Sequence, residues 1–160
     1  IREFLQSDFR TTAATGTRRL ALALKETIDS TIDLEIKQEL SAAALLSRSL
    51  NKTPITIDNF AERFGLSAKA KSAMLERLRS PSLRFDQFLF SAEEFGKHLR
   101  YRSVSINNGA MLTAPLGRFD KCFTKKRLNG DGEYEFSTRG RIVDDRLKTG
   151  PNERARGRVP

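Results

Sequence analysis

Apolar positions recur at steps of three and four residues through the first two thirds of the chain, and at steps of two after that. Leu20, Ala23, Leu24, Thr27 and Ile28 form one stripe on a helix from Arg18 to about Ile28. Upstream, Arg2 to Phe9 carries Phe4, Leu5 and Phe9 on a broad face and reads as a short helix, broken by Thr11 to Thr17 with Gly16. A longer helix spans Leu34 to Leu50, with Asp33 as N-cap and Ile36, Leu40, Ala43, Ala44 and Leu50 turned inward; Asn51 to Pro54 stops it.

Asp58 is placed to cap a helix Asn59 to Phe64, which Gly65 ends. Ser67 caps the next, Ala68 to about Arg79, where Met74, Leu75 and Leu78 continue the stripe until Ser80 and Pro81. Ser91 caps Ala92 to Leu99, with Glu93 and Glu94 in the first turn, where carboxylates suit the positive helix end.

From Tyr101 the period is two. Tyr101 to Ile106 and Ala110 to Leu116 flank the turn signal Asn107, Asn108, Gly109. Arg118 to Leu128 and Glu133 to Val143 flank a stronger one, Asn129, Gly130, Asp131, Gly132. With Asn129 and Gly130 as the central pair, Phe123 faces Phe136, Asp120 faces Arg139 and Lys126 faces Glu133. Phe119, Phe123, Tyr134 and Phe136 then share one face of a half-buried hairpin, and Thr124, Lys126, Glu133 and Arg139 the other. A four-residue loop keeps the same faces, so the loop size stays open. The expected fold is therefore α+β: a helical layer of four to five helices over residues 1–99, then small antiparallel hairpins over 100–143. Residues 1–147 are read as a single domain, with a helical turn at Asp144 to Lys148, and 148–160 as a basic tail.

Charge sharpens this outline. The 160 residues carry a formal net charge of +9, distributed unevenly: residues 1–96 balance at +1 and residues 97–160 at +8. A concentrated positive field draws polyanions, chiefly nucleic acid. One cysteine, Cys122, allows no internal disulfide, and no apolar run is long enough to span a bilayer; a cytoplasmic setting is expected. The chain opens on Ile1 rather than Met, which reads as a piece of something longer.

Catalytic chemistry is sparse. His98, the single histidine, sits at a helix end and reads as a dipole partner, and Cys122 as a packing residue. Asp144 and Asp145 are adjacent and so point to different faces. There is no zinc spacing and no Gly-rich phosphate loop, so neither a metal, a cofactor, a small-molecule substrate nor enzymatic activity is expected. The stretch Phe60 to Ser67 resembles a helix-turn-helix that would present Lys69, Lys71 and Arg77 to DNA. Lys71, however, falls where such a helix supplies a core residue, and an ordinary packed helix pair is the preferred reading. The basic strands are the better candidate: Lys121, Lys125, Lys126 and Arg127, then Arg139 and Arg141, with Arg100, Arg102 and Arg118 close by and Arg154, Arg156 and Arg158 as a flexible arm. Such side chains meet phosphates and carry little sequence information.

The order of segments resembles the C-terminal half of the bacterial nucleoid-associated NdpA/YejK family. The likeness rests on Arg2-Glu3-Phe4-Leu5 leading into the Leu20 to Ile28 helix, on Asn59-Phe60-Ala61-Glu62-Arg63-Phe64-Gly65, on Ser105-Ile106-Asn107 with Ala110-Met111-Leu112 and Gly117-Arg118, and on Asp145-Arg146-Leu147. It covers most of the chain, and its specificity lies in order and spacing. The resemblance implies a cytoplasmic, chromosome-associated, non-enzymatic DNA-binding protein, and it supplies no motif residues as a site. The expected function is contact with the phosphate backbone of double-stranded DNA without base readout. The alternative is a docking or homodimerisation domain using the helices and the Phe-rich hairpin face.

Overall fold

The computed structural model describes residues 11–130 and 132–148. The helix expected at Arg2 to Phe9 and the tail beyond residue 148 lie outside them. The fold is α+β, with a helical layer first and small antiparallel sheets after. It divides into two units, one ending at Phe119 and one beginning at Asp120.

In the first unit, α1 (Ala13–Ser30) is the element around which the others gather. Thr12 caps it, accepting a hydrogen bond from the Thr15 amide at 3.1 Å. Leu20, Ala21, Ala23 and Leu24 are buried on its inner side against α2 (Leu34–Leu46), α4 (Ala68–Leu75), β2 (Phe88–Leu89) and α5 (Ala92–His98). Gly16 does not break this helix. It lies inside α1 because the fully buried Phe88 ring packs directly on it, leaving no room for a Cβ.

Asp33 caps α2 as the sequence indicates, accepting from the Glu35 amide at 2.9 Å. The five residues read as inward, Ile36, Leu40, Ala43, Ala44 and Leu50, are all buried, although the last turn, Ser47–Leu50, tightens to 3₁₀ geometry. Helix α3 (Ile57–Arg63) starts two residues before expectation. Thr56, not Asp58, is its cap, because Ile57 is fully buried and the Asp58 carboxylate is drawn elsewhere. Gly65, at φ +62°, ends it in the left-handed region. Ser67 caps α4, which stops at Leu75 rather than Arg79; from there i→i+3 bonds at Arg77 and Leu78 carry the chain on in turns.

Two strands escape the sequence pattern. β1 (Pro54–Ile55) and β2 pair antiparallel, and the ladder is extended by the Lys52 amide donating to the Phe90 carbonyl at 2.7 Å and the Phe90 amide to the Thr53 carbonyl at 2.9 Å. Two paired residues are too few to show a period of two. Helix α5 is capped by Ser91, with Glu93 and Glu94 in its first turn. β3 (Tyr101–Ser105) and β4 (Met111–Pro115) form the expected hairpin, Val104 opposite Leu112. A 3₁₀ turn, Leu116–Arg118, follows β4.

Residues 119–122, expected as strand, form instead a short helix, α6 (Phe119–Cys122), with Phe119 buried. The second unit contains β5 (Thr124–Arg127) and β6 (Tyr134–Ser137). Beyond Ser137 the described residues are irregular: the strand continuing to Val143 and the helical turn at Asp144 to Lys148 are not formed, and Ile142, Val143 and Leu147 are almost wholly exposed. Among the described residues, no helix is long and apolar enough to cross a membrane.

Candidate nucleic-acid interface

The sequence-derived basic residues are divided between the two units. Arg100, Arg102 and Arg118 belong to the first unit; Lys121, Lys125, Lys126, Arg127, Arg139 and Arg141 belong to the second. Arg154, Arg156 and Arg158 lie outside the described residues.

In the first unit, Arg100 and Arg118 join Arg48 around an open cleft of about 420 Å³. Phe95, Leu99 and Leu116 contribute its apolar walls, and among the described residues no carboxylate lines it. The Arg100 carbonyl accepts from the Leu116 amide at 2.8 Å, so the β3–β4 ladder fixes the backbone on which both sequence-derived arginines stand. The Arg48 guanidinium lies so close to Gly117 that any Cβ there would overlap it. Arg48 was not foreseen because it comes from the tightened end of α2, more than fifty residues upstream, and nothing local marks it. Arg102 is committed to the fold: its guanidinium sits 4.7 Å from the Phe119 ring centroid.

In the second unit the hairpin register is Thr124 opposite Ser137, Lys125 opposite Phe136, Lys126 opposite Glu135 and Arg127 opposite Tyr134. Each partner is shifted by two from the expected pairing, because the connection is longer than two residues; Leu128 closes it by donating to the Glu133 carbonyl at 3.0 Å. Lys126 and Phe136 are therefore not strand partners of Glu133 and Phe123, and Asp120 lies in α6 rather than on the strand. A shift of two preserves which residues share a face. Tyr134 and Phe136 do lie together, their ring centroids 6.3 Å apart, but Phe119 and Phe123 are off the strand. Their same-face neighbours are Lys125 and Arg127, and the Lys125 Nζ rests 4.2 Å from the Tyr134 centroid. Lys126 is on the opposite face with Glu135. The face expected to be half-buried is thus mainly open: every residue of β5 is exposed, and of β6 only Phe136 is partly covered.

The helix-turn-helix alternative loses its cations to the fold. Lys69 bonds Asp33 at 3.2 Å, Lys71 reaches Asp58 at 3.2 Å and Glu62 at 3.4 Å, and Arg77 donates to the Ser30 hydroxyl at 2.8 Å. The Lys69 hydrogen bond holds the Asp33 carboxyl below the ordinary carboxylate range, and Asp33 in turn raises Lys69. Asp58 is lowered chiefly by Arg84, which grips it through Nε at 3.1 Å and Nη2 at 2.6 Å, and then by Lys71. Lys69 and Lys71 are thus engaged by neighbouring carboxylates and Arg77 by a hydroxyl, as in an ordinary pair of packed helices.

His98 is similarly occupied. Its Nε2 lies 3.1 Å from the Glu94 Oε2 one turn back on α5, and this bond, with Lys97 after it, lowers the Glu94 carboxyl. Cys122 is a half-buried free thiol, and among the described residues no group of three or more His, Cys, Asp or Glu side chains is placed to hold a metal ion. Comparison of the chain with protein-family models, curated proteins and solved structures finds no match.

Proposed function

We propose that the chain binds DNA through its phosphate backbone, without strong sequence preference, and that the hairpin β5–β6 is the principal contact. The observation that carries this reading is the run Lys125, Lys126, Arg127: three consecutive cations on a strand exposed along its whole length. Consecutive strand residues alternate between faces, so the run offers charge to both sides of the ribbon. The cleft of Arg48, Arg100 and Arg118 supplies a second set of phosphate donors on the first unit. A bacterial, nucleoid-associated setting accords with the resemblance in segment order, and the reading involves no catalytic step. The docking alternative has less support: of the aromatic residues it would use, Phe119 is buried in α6 and Phe123 precedes β5.

Titration of a short DNA duplex from about 50 to about 300 mM salt tests the proposal, with each neutralised phosphate contributing about 0.9 to the slope of log K against log salt. Replacing Lys125, Lys126 and Arg127 together by alanine is expected to weaken binding and flatten that slope by about 2 to 3. Absence of binding at the lowest salt, or a slope the triple variant leaves unchanged, refutes the assigned surface.

A further inference from the structure

The register puts two aromatic rings and two cations on one open face of the hairpin, which is more than phosphate contact requires. Lys125 and Arg127 would serve as well on a strand with no ring beside them. Tyr134 is 37% exposed, with the ammonium of Lys125 4.2 Å and the ring of Phe136 6.3 Å from its centroid. An aromatic face bordered by flexible cations matches a nucleotide's own parts, since a base offers a π-face and its phosphate a charge.

The ring spacing narrows the ligand. Stacked nucleotides within one strand of a duplex rise about 3.4 Å, whereas the Tyr134 and Phe136 centroids are 6.3 Å apart and their planes are inclined at 49°. Two neighbouring bases can each cover one ring only when they are spread apart and tilted. Pairing in a duplex forbids this, and an unpaired strand permits it. We infer that the face formed by Lys125, Arg127, Tyr134 and Phe136 is a stacking platform for unpaired nucleotides, so that the hairpin prefers single-stranded to double-stranded DNA. This rests on the DNA-binding reading above and specifies the form of DNA that it takes. On binding, the Lys125 ammonium swings from the Tyr134 ring to a phosphate, which opens that ring to a base.

The chain has no Trp and two Tyr, so Tyr101→Phe leaves Tyr134 as the sole tyrosine emitter. The full chain carrying Tyr101→Phe is titrated at low salt with three probes of equal phosphate number: single-stranded oligothymidylate, the same backbone without bases, and a duplex. Labelled-probe anisotropy gives affinity, and tyrosine emission reports stacking. The expected result is oligothymidylate binding about 10-fold tighter than the abasic strand, with Tyr134 emission quenched by the former alone. Phe136→Leu, which keeps an apolar side chain on the strand, is expected to lose about 5-fold or more on oligothymidylate and little on the abasic strand. Equal affinity for the two single strands without quenching overturns the platform while leaving phosphate binding intact. Tighter binding of the duplex without quenching also overturns it, in favour of a ribbon lying in the major groove. Failure to bind any probe overturns the DNA-binding reading itself.

Discussion

Gly16→Ala should destabilise the protein, although it places a better helix former in the interior of an eighteen-residue helix. On propensity alone the change gains about 1 kcal/mol. Against this stands Phe88. A Cβ at position 16 would meet the Phe88 ring, with Cδ1 at 2.5 Å and the Phe88 Cβ at 2.6 Å, where ordinary contact is near 3.5 to 4 Å. Phe88 must therefore withdraw by about 1 Å or more, and its freedom to do so is small: it is fully buried and its backbone is paired with Ile55. Overpacking costs about 1–3 kcal/mol, and losing most of the burial of a phenylalanine costs about 3–5. Net destabilisation of about 2–3 kcal/mol is expected, read as a lower urea midpoint by far-ultraviolet circular dichroism. The Phe88→Ala background removes the ring and turns the cycle into a test of mechanism. There Gly16→Ala should be neutral or stabilising, a coupling of about 2 kcal/mol or more. A more stable Gly16→Ala variant, or additive effects in the cycle, would refute the close-approach argument.

Asp58→Asn is expected to cost about 1–2 kcal/mol at neutral pH, a figure held down because Arg84 and Lys71 keep some exposure to water. Since folding lowers the Asp58 pKa, its contribution is complete above the ordinary carboxylate range and is lost as pH falls through the depressed folded value. Wild-type and variant stabilities should converge in acid, and a difference that persists at low pH would point to packing rather than charge. Thr17→Val keeps the shape of a fully buried side chain but removes the oxygen that accepts the Ser91 amide at 3.0 Å. Loss of about 1–3 kcal/mol, with faster hydrogen exchange at Ser91, is expected; an unchanged thermal midpoint would show that water replaces the bond.

Features set by neighbours in sequence were legible, and features set by distant contacts were not. Asp33, Ser67 and Ser91 were identifiable as caps because a cap is a local hydrogen bond. The inward side of α2 followed from its spacing alone. Gly16, by contrast, has the local character of a breaker, and only Phe88, seventy-two residues later, makes it a helix residue. Asp58 looks like a cap until Arg84 and Lys71 claim its carboxylate. At the candidate site, the cations of β5 and the pairing of Tyr134 with Phe136 on one face were visible in the alternation. Arg48 was hidden, whereas the β5–β6 turn was open between two and four residues in the sequence, and Leu128 closing on Glu133 selects four.

The register of that hairpin acts as a parity switch. Partner numbers in the β5–β6 pair sum to 261, and any slip of the pairing by two residues keeps Lys125 and Arg127 beside Tyr134 and Phe136. A slip by one residue does the opposite. Lys125 and Arg127 would then share a face with Glu133 and Glu135, and the two rings would keep only Thr124 and Lys126 for company. The same residues would then set each cation of that face against a carboxylate. Registers of one parity are compatible with the binding face and those of the other are not, whatever residues the loop contains.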